Sequence, residues 1–172
     1  MINSEIEIIV KKIAIPPEGG TYLLFLKIMK PILQKIGSLG IINFPKGHYF
    51  YVGSALGPGG LNKRIVRHLR KTKKIFWHID YLITNPEVHM LAIAYQISRE
   101  KNECLIVKKI IDFFSDDLQS ITNFGSSDCH CKSHLLYCKI ENHSEILSTL
   151  EYLSNKNHLD LIFKELPIQG NL

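Results

Sequence analysis

Residues 48–70, HYFYVGSALGPGGLNKRIVRHLR, read as a strand, a glycine-rich turn and a basic helix. His48-Tyr49-Phe50-Tyr51-Val52 is aromatic and β-branched, a composition that suits a pleated surface. Gly53, Gly57, Pro58, Gly59 and Gly60 then break the chain and let backbone pass close to a neighbour. From Leu61 the apolar spacing turns helical, with Leu61, Ile65 and Leu69 recurring every fourth residue. At about 100° per residue these three form one stripe, and Lys63, Arg67, Arg70 and Lys71 lie opposite. Arg64 and His68 share a face at the border of the stripe. Tyr51 can arrive beside them from the strand. An arginine fork, an imidazole and a phenol suit a phosphate, since guanidinium matches phosphate oxygens bidentately. A solvated basic face beside a half-buried tyrosine satisfies the same spacing and is the commoner arrangement.

Working outward, Pro16-Pro17-Glu18-Gly19-Gly20 makes a turn, and Thr21–Ile28 (TYLLFLKI) reads as a central strand. Ile32–Ile36 and Ile41–Phe44 flank Gly37-Ser38-Leu39-Gly40, a hairpin signal. Residues 1–15 alternate weakly at Ile6, Ile8 and Val10, so an extra edge strand is expected there. Downstream, Phe76-Trp77-His78-Ile79-Asp80-Tyr81-Leu82 alternates aromatic and polar groups too densely for a plain core helix. Trp77 could stack on a base or, with Tyr81, cover the sheet edge; His78 stays equally open. Asp80 is expected to cap the chain or pair with a lysine. Val88–Ile97 is a further strand, and Ser144–Asn155 an amphipathic closing helix with Ile146, Leu147, Leu150 and Leu153 inward. The expected class is α+β: a small, mainly antiparallel sheet flanked by helices, with an extra hairpin and a C-terminal helix. One domain is expected over 1–172, with its motif core at about 20–138, an N-terminal extension over 1–19 and a closing strand and helix within 139–172.

The chain has 172 residues and a formal net charge of +5, with a pI near 9.0. Much of the excess sits in residues 63–74, KRIVRHLRKTKK. That concentration favours a polyanion, and nucleic acid before membrane, because the same helix has an apolar face for a globular core. Lys63, Arg67, Arg70, Lys73 and Lys74, with Trp77 and His78, are the candidate nucleic-acid contacts, for DNA more than RNA. No apolar run approaches the length of a membrane span, and MINSEIEIIVKK lacks the apolar stretch of a secretory signal. A cytoplasmic protein is expected.

Two further segments carry chemistry. As a helix, Asn102–Phe114 (NECLIVKKIIDFF) sets Ile106, Val107, Ile110, Ile111, Phe113 and Phe114 in a broad apolar arc with Glu103 in its middle. A carboxylate facing a core needs a partner or a metal; in a first turn, Glu103 could instead look outward near the positive helix end. The second segment, Asp128-Cys129-His130-Cys131-x-x-His134-x-x-x-Cys138, holds three of the four cysteines. Cys129, Cys131, His134 and Cys138 could hold zinc, although Cys-x-Cys is tighter than the usual knuckle. The commoner reading is buried small hydrophobes and hydrogen-bonding histidines. A place lining a nucleic-acid groove is a third option.

Gly20-Thr21-Tyr22, Tyr51-Val52-Gly53 and Leu61-x-x-Arg64-Ile65-x-x-His68 resemble the motifs of the GIY-YIG nuclease superfamily. The strings GSALGPGGL, RHLR, FWHIDYL, NECL and SSDCHCKSHL resemble one branch of it, largely of unassigned function and sometimes joined to an endonuclease III-like glycosylase. The resemblance spans roughly Gly20 to Cys138. It implies a metal-dependent endonuclease acting on phosphodiesters, with DNA repair as one setting and a repair glycosylase as one partner. Tyr51, or else Tyr22, would be the base that deprotonates water, with Arg64 stabilising phosphate charge. His68 would orient Tyr51 or touch the phosphate. Glu103 would be the ligand of Mg²⁺ or Mn²⁺. The tyrosines stand further apart in sequence than is usual in the superfamily, because a hairpin intervenes. Ser54-Ala55 also occupies the place where many members carry lysine. Two other classes fit the same residues: a non-catalytic nucleic-acid-binding module, and a zinc-stabilised interaction protein.

Overall fold

The computed structural model describes residue 8, residues 12–155 and residues 158–167. The chain runs β1 (Gly20–Ile28), β2 (Ile32–Lys35), β3 (Ile41–Phe44), β4 (Gly47–Ser54), α1 (Gly60–Leu69), α2 (His78–Ile83), β5 (Val88–Ile97), α3 (Glu103–Phe114), β6 (Leu118–Ser120), β7 (Leu135–Cys138), α4 (His143–Leu153) and β8 (Ile162–Glu165). Six strands form one antiparallel sheet in the order β6-β7-β4-β1-β5-β8, and β2 and β3 form a separate hairpin. The fold is α+β, with helices against the sheet and a closing helix near the C-terminal end.

Strand alternation sorts the core into two layers. Tyr22, Leu24, Leu26 and Ile28 of β1, with Tyr49 and Tyr51 of β4, face α1 and α2. Leu23 and Phe25, with Phe50 and Val52, face α3 and α4. Helix α1 buries the expected stripe of Leu61, Ile65 and Leu69. Fully burying an aliphatic side chain of this size stabilises by about 1.5–3 kcal/mol, and the stripe is what docks α1 on the sheet.

Gly60 begins α1 at φ +52°, and a Cβ there would run into the carbonyls of Pro17 and Glu18. The same segment caps the helix: the Leu61 amide donates to Glu18 O at 2.8 Å and the Asn62 amide to Pro16 O at 3.0 Å. The glycine-rich turn therefore admits the chain's own backbone.

Several elements differ from the expectation. Residues 78–83 are helical, because the Asp80 carboxylate accepts from the Trp77 amide while Ile79, Leu82 and Ile83 bury. In α3, Ile111 and Phe113 are exposed, so its buried arc is narrower: Ile106, Val107, Ile110 and Phe114. The edge strand expected over residues 1–15 falls largely outside the described residues; Ile8, Lys12 and Ile13, which are described, are helical. Among the described residues, no helix is long and apolar enough to cross a membrane.

Candidate active site and metal cluster

β1 and β4 pair so that Tyr22 lies opposite Gly53, with Tyr51 opposite Leu24. The two tyrosines are thus diagonal neighbours on one face, with ring centroids 6.4 Å apart. Gly53 makes room for this: a Cβ there would stand 2.5 Å from the Tyr22 hydroxyl and 3.1 Å from Tyr51 Cε1. Helix α1 brings Arg64 and His68 over the pair. His68 is buried, and its Nε2 lies 2.8 Å from the Tyr22 hydroxyl. The imidazole's hydrogen-bond partner is therefore Tyr22; the expectation for His68 was to orient Tyr51 or to touch the phosphate.

Protonation follows from burial. Burial pushes the Tyr22 phenol well above its ordinary value, although Arg64 beside it pulls the other way. Tyr51 is raised likewise, by burial first and by the Tyr22 charge second. Burial pushes His68 down to about 4 despite its contact with Asp80. At neutral pH the phenol therefore donates to Nε2, which leaves the ring proton on Nδ1. Nδ1 faces Asp80 Oδ1 at 3.7 Å, beyond hydrogen-bond length.

Asp80 is fully buried and saturated. Arg67 grips both oxygens, Nη1 to Oδ1 at 2.7 Å and Nη2 to Oδ2 at 2.9 Å. The Phe76 and Trp77 amides also donate to Oδ2, each at 2.9 Å. Burial alone would raise this carboxyl, but His68, Arg67 and the two amides hold it well below the usual carboxylate range. Asp80 thus pairs with arginine, not with lysine. Arg67, expected to face nucleic acid, is committed inward. Lys73 is engaged too: Nζ donates to the His68 carbonyl at 2.9 Å, and burial lowers it to about 8.

Trp77 is half-buried under two guanidiniums. Arg64 Cζ lies 3.8 Å and Arg67 Cζ 4.5 Å from its ring centroid. The ring thereby positions Arg64. His78 accepts from the Gly125 amide at 3.4 Å and meets Phe124 edge-on. Lys63 and Lys74 are exposed, and Arg70 is partly exposed at the end of α1.

Glu103 opens α3 and is only 8% exposed. Its Oε2 is buried with no hydrogen-bond partner among the described residues. Glu103 therefore does not look outward to solvent from the first turn. The preceding residue ties it to the tyrosine strand: the Asn102 amide donates to Thr21 Oγ1 at 3.3 Å. The carboxylate charge contributes to raising both Tyr22 and Tyr51, so it lies within electrostatic reach of the pair. A buried carboxylate oxygen with no partner, acting electrostatically on two phenols, is a hard donor that a divalent cation could use.

Beside Glu103 lies a second set of ligand atoms. Cys104, Cys129, Cys131 and His134 each offer one atom within 4.8 Å of all the others, and the cluster could hold a metal such as zinc. Cys138 is not part of it. It is buried at 1% exposure in the layer that packs on α3 and α4. It also stands four strand residues beyond His134, about 13 Å at the usual rise. Cys104 takes its place. The signal in the sequence is the remaining cysteine in the first turn of the Glu103 helix, far from the other three along the chain.

The family described as domain of unknown function DUF123 matches residues 21–155, and the chain belongs to that family. No curated protein and no solved structure matches it.

Proposed function

We propose that this member of the DUF123 family is a GIY-YIG-like endonuclease module that hydrolyses nucleic-acid phosphodiesters, DNA before RNA. Its resemblance to that superfamily suggests work beside a repair glycosylase. The observation that carries the reading is the buried, unpartnered Glu103 Oε2, whose carboxylate acts electrostatically on both Tyr22 and Tyr51. Glu103 would hold Mg²⁺ or Mn²⁺, which when bound would supply Lewis-acid stabilisation of the leaving oxygen.

The chain's own groups divide the remaining work. Arg64, steadied on the Trp77 ring, would grip non-bridging phosphate oxygens. Tyr22 is better equipped than Tyr51 to act as base, because His68 Nε2 stands at 2.8 Å to accept its proton. In that step the Tyr22 O–H proton moves to Nε2, and the phenolate takes a proton from the attacking water. Asp80 at 3.7 Å would stabilise the imidazolium that forms. Burial makes the transfer uphill in the resting site, and Arg64 beside the phenol offsets part of the cost. Tyr51 keeps its proton and would donate to water or phosphate.

A non-catalytic nucleic-acid-binding module is the second reading, and the same resting protonation favours it: both phenols are held neutral by burial. The test compares wild type, Glu103→Gln and Tyr22→Phe on labelled duplex, flap and single-stranded DNA and on RNA, with Mg²⁺, Mn²⁺ or EDTA. Metal-dependent cleavage abolished in both variants supports the nuclease. Salt-dependent binding by wild type with no cutting of any substrate supports the binding module.

A further inference from the structure

The cysteine–histidine cluster joins two segments that little else connects. Cys104 lies on the first turn of α3, immediately after Glu103. Cys129, Cys131 and His134 come from the loop between β6 and β7, which covers Tyr51: a Cβ on Gly125 would stand 3.1 Å from Tyr51 Cε2. The end of this loop is anchored by backbone, with the Val52 amide donating to His134 O at 3.0 Å and the His134 amide to Phe124 O at 2.8 Å. The stretch holding Cys129 and Cys131 has weaker support. Outside the cluster, its links among the described residues are a 3.4 Å bond from the Cys129 amide to Ser126 O, a 3.8 Å contact from Cys129 Sγ to the same carbonyl, and an exposed Lys101–Asp128 ion pair at 2.6 Å. Exposed pairs of that kind contribute about 1 kcal/mol or less.

We propose that Cys104, Cys129, Cys131 and His134 bind one zinc ion tetrahedrally, and that the ion staples the Glu103 end of α3 to the loop over Tyr51. The donor set is soft, three sulfurs and an imidazole, and selects zinc over magnesium. His134 Nε2 is aimed into the cluster, 3.3 Å from Cys129 Sγ and 3.8 Å from Cys104 Sγ. A tetrahedral site with Zn–S bonds of about 2.3 Å sets its sulfurs roughly 3.8 Å apart. The observed spread, up to 4.8 Å, needs only a small contraction. His134 is 4% exposed while Cys104 opens to solvent, so the ion would have one buried ligand and a route of entry. A disulfide would use two of the three thiols and leave the third and the imidazole facing them; zinc uses all four. The stapling role rests on the nuclease reading of Glu103, whereas zinc binding does not.

The test starts from untagged protein purified under reducing conditions. Elemental analysis should find one zinc per chain, released by a mercurial. Refilling with Co²⁺ should give the d–d bands of a tetrahedral site and thiolate charge-transfer absorption. Cys104→Ser alters a solvent-exposed position, so the fold should survive, with zinc affinity reduced at least about tenfold and one thiolate's share of the charge transfer lost. Cys138→Ser should leave zinc at one equivalent. Substoichiometric zinc with no thiolate–cobalt band, or zinc lost in Cys138→Ser and retained in Cys104→Ser, would overturn the assignment. Stapling is read separately, as an about 10–100-fold loss of Mn²⁺ affinity in the zinc-depleted protein. Unchanged Mn²⁺ affinity there would overturn the staple. Protein that holds zinc yet cuts nothing would count against the nuclease alone.

Discussion

Two buried carboxylates stand near the tyrosine pair and have opposite surroundings. Asp80 is fully buried and accepts four hydrogen bonds, two from Arg67 and two from backbone amides. Glu103 is nearly as buried and keeps an oxygen without a partner. A saturated carboxylate is architecture: it fixes Arg67, caps α2 and sets a negative charge behind His68. An orphaned one carries an uncompensated cost that a cation would remove. Burial alone does not separate the two. The count of donors does.

If that contrast is right, substitution at the two sites should fail differently. The largest effect is expected at Asp80. Asp80→Ala strands the Arg67 guanidinium and uncaps α2, and should cost about 3–5 kcal/mol of stability by urea unfolding, with or without divalent metal. A cost below about 1 kcal/mol would mean the network holds nothing together.

Acid should weaken the same region. His68 has a folded pKa near 4 against 6.5 when unfolded, so between those values the unfolded chain binds a proton that the folded chain refuses. Stability conferred by the neutral ring is present above about pH 6.5 and is lost as pH falls toward 4, on the order of 3 kcal/mol. Asp80, depressed in the fold, adds a further loss below the ordinary carboxylate range. In His68→Gln the unfolding midpoint should vary less between pH 6.5 and 4. An identical slope in both proteins would assign the acid sensitivity elsewhere.

At Glu103 stability should hold or rise, while the proposed cleavage should be lost. Glu103→Gln is expected to lower metal-dependent cleavage by about 100-fold or more, with a thermal midpoint at or above that of wild type. A large loss of stability would make Glu103 a structural residue like Asp80. The smallest effects belong to the exposed lysines. Lys63→Ala or Lys74→Ala should reduce the slope of log affinity against log salt by about 1 each, and Lys73→Ala by less, because Lys73 is spent on the His68 carbonyl.

The strand–turn–helix of residues 48–70 was legible because an aromatic, β-branched run ends in a glycine-rich turn and an apolar spacing of four begins at Leu61. The shared face of Arg64 and His68 followed from the same spacing. The partner of His68 did not. It depends on the β1–β4 register, which places Tyr22 over Gly53, and that register is set across an intervening hairpin. Arg67 shows a similar limit: a basic residue opposite the apolar stripe reads as solvated until α2 brings Asp80 against it. The cysteine cluster was half legible. Local spacing grouped Cys129, Cys131 and His134, but β7 carries Cys138 about 13 Å along the strand and into the core, and the remaining ligand comes from a distant helix.

The most direct test of the contrast is Mn²⁺ binding to zinc-loaded protein, followed by electron paramagnetic resonance in wild type, Glu103→Gln and Asp80→Asn. The orphaned carboxylate predicts a bound Mn²⁺ signal in wild type, retained in folded Asp80→Asn and lost or weakened at least about tenfold in Glu103→Gln. Equal Mn²⁺ affinity in wild type and Glu103→Gln would contradict it, and Glu103 would then be a buried charge with no ion to hold.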